Sequence, residues 1–133
     1  MTLHKELFIK NFIEKADRAL LDAEQNLEIS LYVVQNRNYY AVFYIVLALA
    51  YLDGFKTAKH HQLMGWFNQE YIYKNKIFDV KLNEIYKILM ANREKSDYGV
   101  LDNPERIKVE KGLDEAKFFV KTIKEYILKN LKK

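Results

Sequence analysis

The sequence contains no cysteine, one proline and four glycines in 133 residues. Without cysteine, a disulfide scaffold, a thiolate metal site and a cysteine nucleophile are all excluded, and the composition suits a reducing cytoplasm. So little proline and glycine leaves too few turns for a β-sandwich or a β-barrel. We therefore expect an all-α protein in the cytoplasm.

Long apolar runs are also absent. The apolar run at residues 41–52 has 12 residues, whereas a helix that crosses a bilayer needs roughly 20. The first ten residues mix charged and isolated apolar side chains, unlike a signal peptide. With a mass of 15.9 kDa and no linker-like stretch, we expect a single domain over residues 1–133, neither secreted nor inserted in a membrane.

Motifs for common catalytic sites are missing as well. Ser30 and Ser96 lie in no glycine-flanked turn, and the scattered glycines form no phosphate-binding loop. His60 and His61 are adjacent, so on a helix they diverge by about 100° and cannot chelate one metal ion. We predict no metal and no cofactor.

The spacing of apolar residues at three and four predicts several helices. The first helix is expected over about 5–28 and the second over 30–53, ended by Gly54. A shorter third helix follows with Thr57 as its N-cap, and a fourth extends from about Asp79 to 98–99. The last helix is long, with Asn103 as its N-cap and Pro104 at its first position. Gly112, inside the last helix, predicts a close helix crossing. The sequence predicts an antiparallel, up-and-down bundle of four or five helices.

One arginine lies where an apolar residue is expected. Viewed down the axis of the fourth helix, the apolar stripe extends around the helix from Ile85 through Leu82 to Met90. Arg93 falls inside this stripe. A buried guanidinium must be paired or reach water, and Asp97, one turn later, is the nearest predicted partner. If the helix continues as far as Tyr98, that side chain projects some 140° away from Arg93. The pattern is compatible with a structural ion pair or with a ligand site.

The second helix carries polar groups on one of its two faces. Arg37, Tyr40 and Tyr44 share this face with the small residues Ala41 and Ala48. The tyrosines can bind a phosphate, an arginine or another subunit, or they can pack inside the bundle with their hydroxyls at its rim. Because the face needs to be covered, we expect a homodimer.

Positive charge is concentrated near the end of the chain. The net charge is 22 − 18 = +4, and residues 1–103 hold equal numbers of basic and acidic side chains. The basic last helix can attract an anionic partner, or its lysines can simply face solvent.

Three segments together resemble a known family. They are Arg37-Asn-Tyr-Tyr-Ala-Val-Phe-Tyr44 on the second helix, Lys59-His60 with Phe67 and Tyr71 after it, and Arg93-Glu-Lys-Ser-Asp97-Tyr98 at the end of the fourth. This combination resembles the HEPN domain, in particular its small stand-alone branch with R-x-Y-Y-A-x-F and R-x-x-x-D-Y motifs.

The resemblance implies an antiparallel helical bundle, usually a homodimer. It also implies a gene beside a minimal nucleotidyltransferase, binding of nucleotide or RNA, and a place in a toxin–antitoxin pair. The ligand-binding residues expected on this basis are Arg37, Tyr40, Tyr44, His60, Arg93, Asp97 and Tyr98.

The chain departs from the ribonucleases of the family at one position. Their signature is an arginine followed after four to six residues by a histidine, whereas Arg93 is followed by Tyr98 in that place. An unperturbed tyrosine has a pKa of about 10, some three units from neutral pH. We therefore predict a non-catalytic protein. The alternatives are a metal-independent endoribonuclease in which Asp97, Tyr98 or His60 replaces the missing base, and a helical dimer that serves only as a scaffold.

Overall fold

A computed structural model describes residues 2–97 and 103–131, apart from the side chains of Ser96 and Asp97. These residues form five α-helices and one π-helical segment, without a strand among them. The elements are α1 (Leu3–Gln25), α2 (Leu31–Asp53), α3 (His60–Phe67) with its π-helical continuation (Asn68–Lys74), α4 (Lys81–Asp97) and α5 (Arg106–Leu131). The predicted all-α bundle is confirmed.

Helix α2 is the central element of the bundle, since it packs against α1, α3, α4 and α5. Its ends follow the prediction. The Ser30 hydroxyl accepts a hydrogen bond from the Val33 amide at 3.3 Å, and Gly54 ends the helix in the left-handed region with φ of 80°. Helix α2 carries apolar side chains on almost all of its faces, because neighbouring helices cover it on several sides.

The small residues of α2 receive a helix of the same chain. Ala41 and Ala48 are fully buried, and α1 lies along this face. The ring of Tyr51 stacks on Phe8 at 5.5 Å and packs against Phe12 at 5.4 Å. Much of the face that suggested a homodimer is therefore covered by α1, and the homodimer stays a prediction.

The start of α3 differs from the prediction. Thr57 is not its N-cap: the helix begins at His60 after Lys59, which makes no side-chain capping bond. The Thr57 hydroxyl instead accepts a hydrogen bond from the Lys59 amide, two residues on, at 3.1 Å. Such a bond forms a turn and competes with helix capping.

The start of α5 also differs. The helix begins at Arg106, and the Glu105 carbonyl accepts the bond from the Val109 amide at 2.9 Å. Asn103 is not the helix cap, because it lies three residues before Arg106; its side-chain oxygen accepts a hydrogen bond from the Tyr32 hydroxyl at 2.7 Å instead. Pro104 therefore lies before the helix rather than in its first turn.

The close crossing predicted at Gly112 is confirmed. A Cβ atom on this residue would lie 3.2 Å from Asn38 Nδ2 and 3.2 Å from Leu89 Cδ2. Asn38 is buried, and its side-chain amide lies against the backbone of α5 near Val109. Glycine thus lets α2 and α4 approach the backbone of α5.

The segment after α3 has a widened helical turn. It ends at Lys74, and Lys76 has a positive φ of 51°. The buried Tyr71 donates a hydrogen bond to Asp53 Oδ2 at 2.5 Å, which ties this segment to the end of α2. Trp66 of α3 is half-buried.

No helix within the described ranges is both long enough and apolar enough to span a membrane.

Candidate functional site

Arg93 lies inside the bundle, as its place in the apolar stripe predicts. The residue retains 9% of its accessible surface. Its Cζ atom is 5.1 Å from the centre of the Tyr39 ring and 5.6 Å from that of Tyr40. Both distances are within the range of cation–π attraction, so two α2 rings hold the guanidinium of α4.

His60 lies on the same two rings. As the first residue of α3, it is half-buried, and its imidazole stacks on the Phe43 ring at 4.3 Å. The Tyr39 ring is 5.6 Å away in a stacked orientation, and the Tyr40 ring meets it edge-on at 5.9 Å. The Tyr39 hydroxyl and His60 Nδ1 are 2.6 Å apart and share a hydrogen bond. The fold thus brings together an arginine and a histidine that are distant in sequence.

The electrostatics of the site keep its histidine uncharged. Burial lowers the pKa of His60 below its usual value, and the charges of Arg93 and His61 lower it further, against the opposing effect of Glu94. Glu94 also pairs with His61, with 3.3 Å between its Oε1 and Nε2 of the histidine. Near neutral pH, His60 is therefore a neutral imidazole beside a permanent positive charge.

Tyr39 stays protonated at the same site. Its pKa is raised above the usual value, chiefly because the residue is buried, although the nearby Arg93 acts in the opposite direction. The side chain is fully buried. A neutral phenol next to a neutral imidazole forms an ordinary hydrogen bond without ionic character.

Arg37 and Tyr44 extend this arrangement along α2. The Arg37 Cζ atom is 5.2 Å from the centre of the Tyr40 ring, so this ring contacts two guanidinium groups. Arg37 also donates from Nε and Nη2 to Asn36 Oδ1 at 3.0 and 2.7 Å. The Tyr44 ring lies 5.8 Å beyond Tyr40.

An open groove of about 760 Å³ between α1 and α2 lies at this end of the cluster. Arg37 and Tyr44 line it together with Lys15 of α1, whose Nζ is 5.8 Å from the Tyr44 ring. Arg93 and His60 are not among the residues that line the groove. Tyr44 therefore belongs to its wall more than to the arginine–histidine pair.

Two of the expected site residues are not characterised by the structure. The Asp97 side chain and the whole of Tyr98 lie outside the described residues. The pairing of Arg93 with Asp97 and the role of Tyr98 stay predictions.

The sequence did not single out Tyr39, which is the residue that links the site. The signal was present, because Tyr39 lies on the apolar face of α2 with Val42 and Phe43, where a polar hydroxyl needs a partner. That partner comes from α3, and nothing in the local pattern of α2 identifies it.

The site contains groups that are able to bind a phosphate. A guanidinium offers two parallel N–H donors to phosphate oxygens, and a neutral imidazole can add a third donor or an acceptor. The rings of Tyr40 and Tyr44 supply flat apolar surfaces beside these groups. Among the described residues, no group of three or more His, Cys, Asp or Glu is arranged to hold a metal ion.

Known proteins resemble the chain over nearly its whole length. A UPF0332 protein of Thermotoga maritima is 32% identical over 130 residues, with 97% of each chain covered. A protein of Methanocaldococcus jannaschii named "Putative toxin MJ0142" is 29% identical over 136 residues, with 100% of this chain and 91% of that protein covered. A family model described as HEPN domain matches residues 9–126. On this match, the chain belongs to the HEPN domain family.

Proposed function

We propose that this HEPN protein binds phosphate groups of a nucleotide or of single-stranded RNA at the site formed by Arg93 and His60, and that its main role is binding rather than cleavage. One observation carries the proposal: the Arg93 guanidinium and the His60 imidazole lie against the same two tyrosine rings. Arg93 is already engaged within the fold, and a phosphate would join its existing contacts.

The chemistry of these groups supports a phosphate ligand. The planar guanidinium binds phosphate through two hydrogen bonds and keeps its charge at every physiological pH. The partly exposed rings of Tyr40 and Tyr44 can stack bases, a contact that tolerates any sequence. The net charge of +4 favours approach of a polyanion.

Its place in a larger system is part of the same proposal. Membership of the HEPN family and the name of the relative from Methanocaldococcus jannaschii support a protein of a toxin–antitoxin pair. On the family resemblance, we further propose a homodimer whose partner is a minimal nucleotidyltransferase. Size-exclusion chromatography with light scattering, alone and with that partner, tests both assemblies.

The binding proposal is tested with a fluorescein-labelled oligouridine and with AMP. Fluorescence anisotropy gives the Kd for the RNA, and calorimetry gives it for the nucleotide. We expect Arg93→Lys to weaken binding by about tenfold or more, because the ammonium keeps the charge but loses the bidentate geometry, and hydrogen bonds to charged groups contribute about 1.5–3 kcal/mol.

Lys129→Met is the control for surface charge, since it removes a positive charge from an exposed position in the last turn of α5. It should change the Kd by no more than about twofold, the effect of one surface charge. A loss in Lys129→Met as large as that in Arg93→Lys would contradict a specific role for the Arg93 guanidinium. Absence of binding by the wild-type protein would favour the scaffold alternative.

A second candidate function is metal-independent RNA cleavage, favoured by the position of His60 beside Arg93. In such a reaction His60 would take the proton of a 2′-hydroxyl, whose oxygen attacks phosphorus while the bond to the 5′-oxygen breaks. The leaving oxygen would gain a proton from solvent, and Arg93 would offset the negative charge at phosphorus.

Cleavage is tested by incubating a pool of RNAs with the wild-type protein in the presence of a chelator. We expect the same background products from the wild type and from Arg93→Ala. Products that appear only with the wild type and disappear in His60→Gln would establish catalysis instead.

A further inference from the structure

The hydrogen bond between Tyr39 and His60 can be formed in two ways. Either the tyrosine hydroxyl donates to Nδ1, or a protonated Nδ1 donates to the tyrosine oxygen. The distance of 2.6 Å is the same for both. The two arrangements differ in the nitrogen of His60 that carries the proton, and therefore in what Nε2 can do.

Burial distinguishes the two arrangements. If Nδ1–H donated, the hydroxyl proton of Tyr39 would need another acceptor, yet His60 is the sole hydrogen-bond partner of this hydroxyl within the described ranges. Tyr39 is fully buried among rings that include Tyr40, Phe43 and Tyr86. An unpaired buried hydroxyl proton is costly enough to disfavour that arrangement by about tenfold or more.

Tyr86 does not offer the missing acceptor. Its hydroxyl is buried without a hydrogen-bond partner in the described structure, and its ring centre is 6.5 Å from that of Tyr39. The proton of Tyr39 is therefore directed to His60 Nδ1.

We propose that Tyr39 is a positioning residue that donates its hydroxyl proton to Nδ1 and holds His60 as the neutral tautomer with the proton on Nε2. Nε2–H is then a hydrogen-bond donor for a phosphate oxygen next to Arg93. This inference rests on the proposed phosphate-binding function, and it specifies how His60 takes part in it. The lowered pKa of His60, caused first by burial and then by Arg93, is consistent with a neutral ring.

The tautomer bears on the choice between binding and cleavage. A general base needs an unprotonated nitrogen that reaches the substrate. In this arrangement Nδ1 is occupied by Tyr39 and Nε2 already carries a proton. His60 is thus set to donate to an anion and not to accept a proton from a hydroxyl group.

The tautomer is measured by NMR of the full chain with ¹⁵N-labelled histidine at pH 7.5. His60→Gln assigns the His60 signals among those of the three histidines in the chain. We expect an unprotonated Nδ1 and a protonated Nε2 in a single tautomer. Tyr39→Phe keeps the ring and removes the donor, so Nδ1 should shift and the second tautomer should become populated. A protonated Nδ1 in the wild type would overturn the proposal even if the variant fails to fold.

The role of Nε2–H is measured by RNA binding with two substitutions at one position. Glutamine places an N–H donor near the position of Nε2 but accepts no proton, whereas alanine provides neither. We expect His60→Gln to keep the Kd for the labelled oligouridine within about threefold and His60→Ala to raise it about tenfold. Equal losses in both variants, at equal melting temperatures, would contradict the donor role.

The two proposals fail in different ways. If the wild type binds neither RNA nor AMP, the proposed function is wrong, and the NMR signals still decide whether Tyr39 sets the tautomer. If binding is intact but Nδ1 carries the proton, the function stands and the role given to Tyr39 is wrong.

Discussion

Removing the hydroxyl of Tyr86 should stabilise the protein. This side chain of α4 is fully buried, and its ring packs against Phe67 at 5.9 Å and Phe119 at 5.7 Å. Its hydroxyl has no hydrogen-bond partner within the described part of the chain. Burial, and to a lesser degree the nearby Tyr39, raises the pKa of Tyr86 well above its usual value, as expected of a phenol in apolar surroundings.

The size of the effect follows from the lost solvation of the hydroxyl. A buried polar group without a partner costs about 1–3 kcal/mol. Tyr86→Phe removes this cost and leaves the ring contacts in place, so we expect the free energy of unfolding to rise by about 1–2 kcal/mol. For a chain of this length, that is a rise in melting temperature of roughly 3–8 °C.

Urea unfolding followed by circular dichroism measures this change, with Tyr71→Phe as a control of opposite sign. Tyr71 is also buried, but its hydroxyl donates to Asp53 Oδ2, so its loss should destabilise the protein by about 1 kcal/mol. A Tyr86→Phe protein that is less stable than the wild type would refute the reasoning, because the hydroxyl would then have a partner, such as a buried water molecule.

Two further predictions concern the α5 crossing and the protonation of His60. Gly112→Ala should destabilise the protein by about 1 kcal/mol, since overpacking against Asn38 and Leu89 outweighs the better helix propensity of alanine. Gly65→Ala in α3, where an added Cβ meets nothing within 4 Å, should instead stabilise the protein. Thermal melts of both variants measure the two effects. Because the folded-state pKa of His60 is lowered, the unfolded chain binds the proton more readily, and stability is lost as pH falls from 6.5 through the folded-state pKa. In urea unfolding, the free energy of unfolding of His60→Gln should fall less than that of the wild type between pH 7.5 and pH 5. Equal losses would contradict the lowered pKa of His60.

The sequence predicted elements that are set by local spacing. The limits of α2 follow from Ser30 and Gly54, and the inward position of Arg93 follows from its place in the stripe of α4. Both depend on residues within a few turns of the same helix, where periodicity and capping act.

Features that depend on competing or distant partners were not predicted. The hydroxyl of Thr57 and the amide of Asn103 were expected to cap helices, yet each bonds elsewhere. The spacing of apolar residues does not indicate the widened helical turn from Asn68 to Lys74. The proximity of His60 to Arg93 arises from the packing of α3 and α4 on α2, which one sequence does not reveal.

The uncapped start of α3 has a consequence for how the molecule opens. Lys59 provides no side-chain acceptor for the first amides of this eight-residue helix, so the turn that carries His60 depends on tertiary contacts to stay closed. Local opening there needs much less free energy than global unfolding. An anion held between His60 and Arg93 would join this short helix to α4. Binding of the anion would then slow hydrogen exchange at backbone amides of α3 that the anion does not contact.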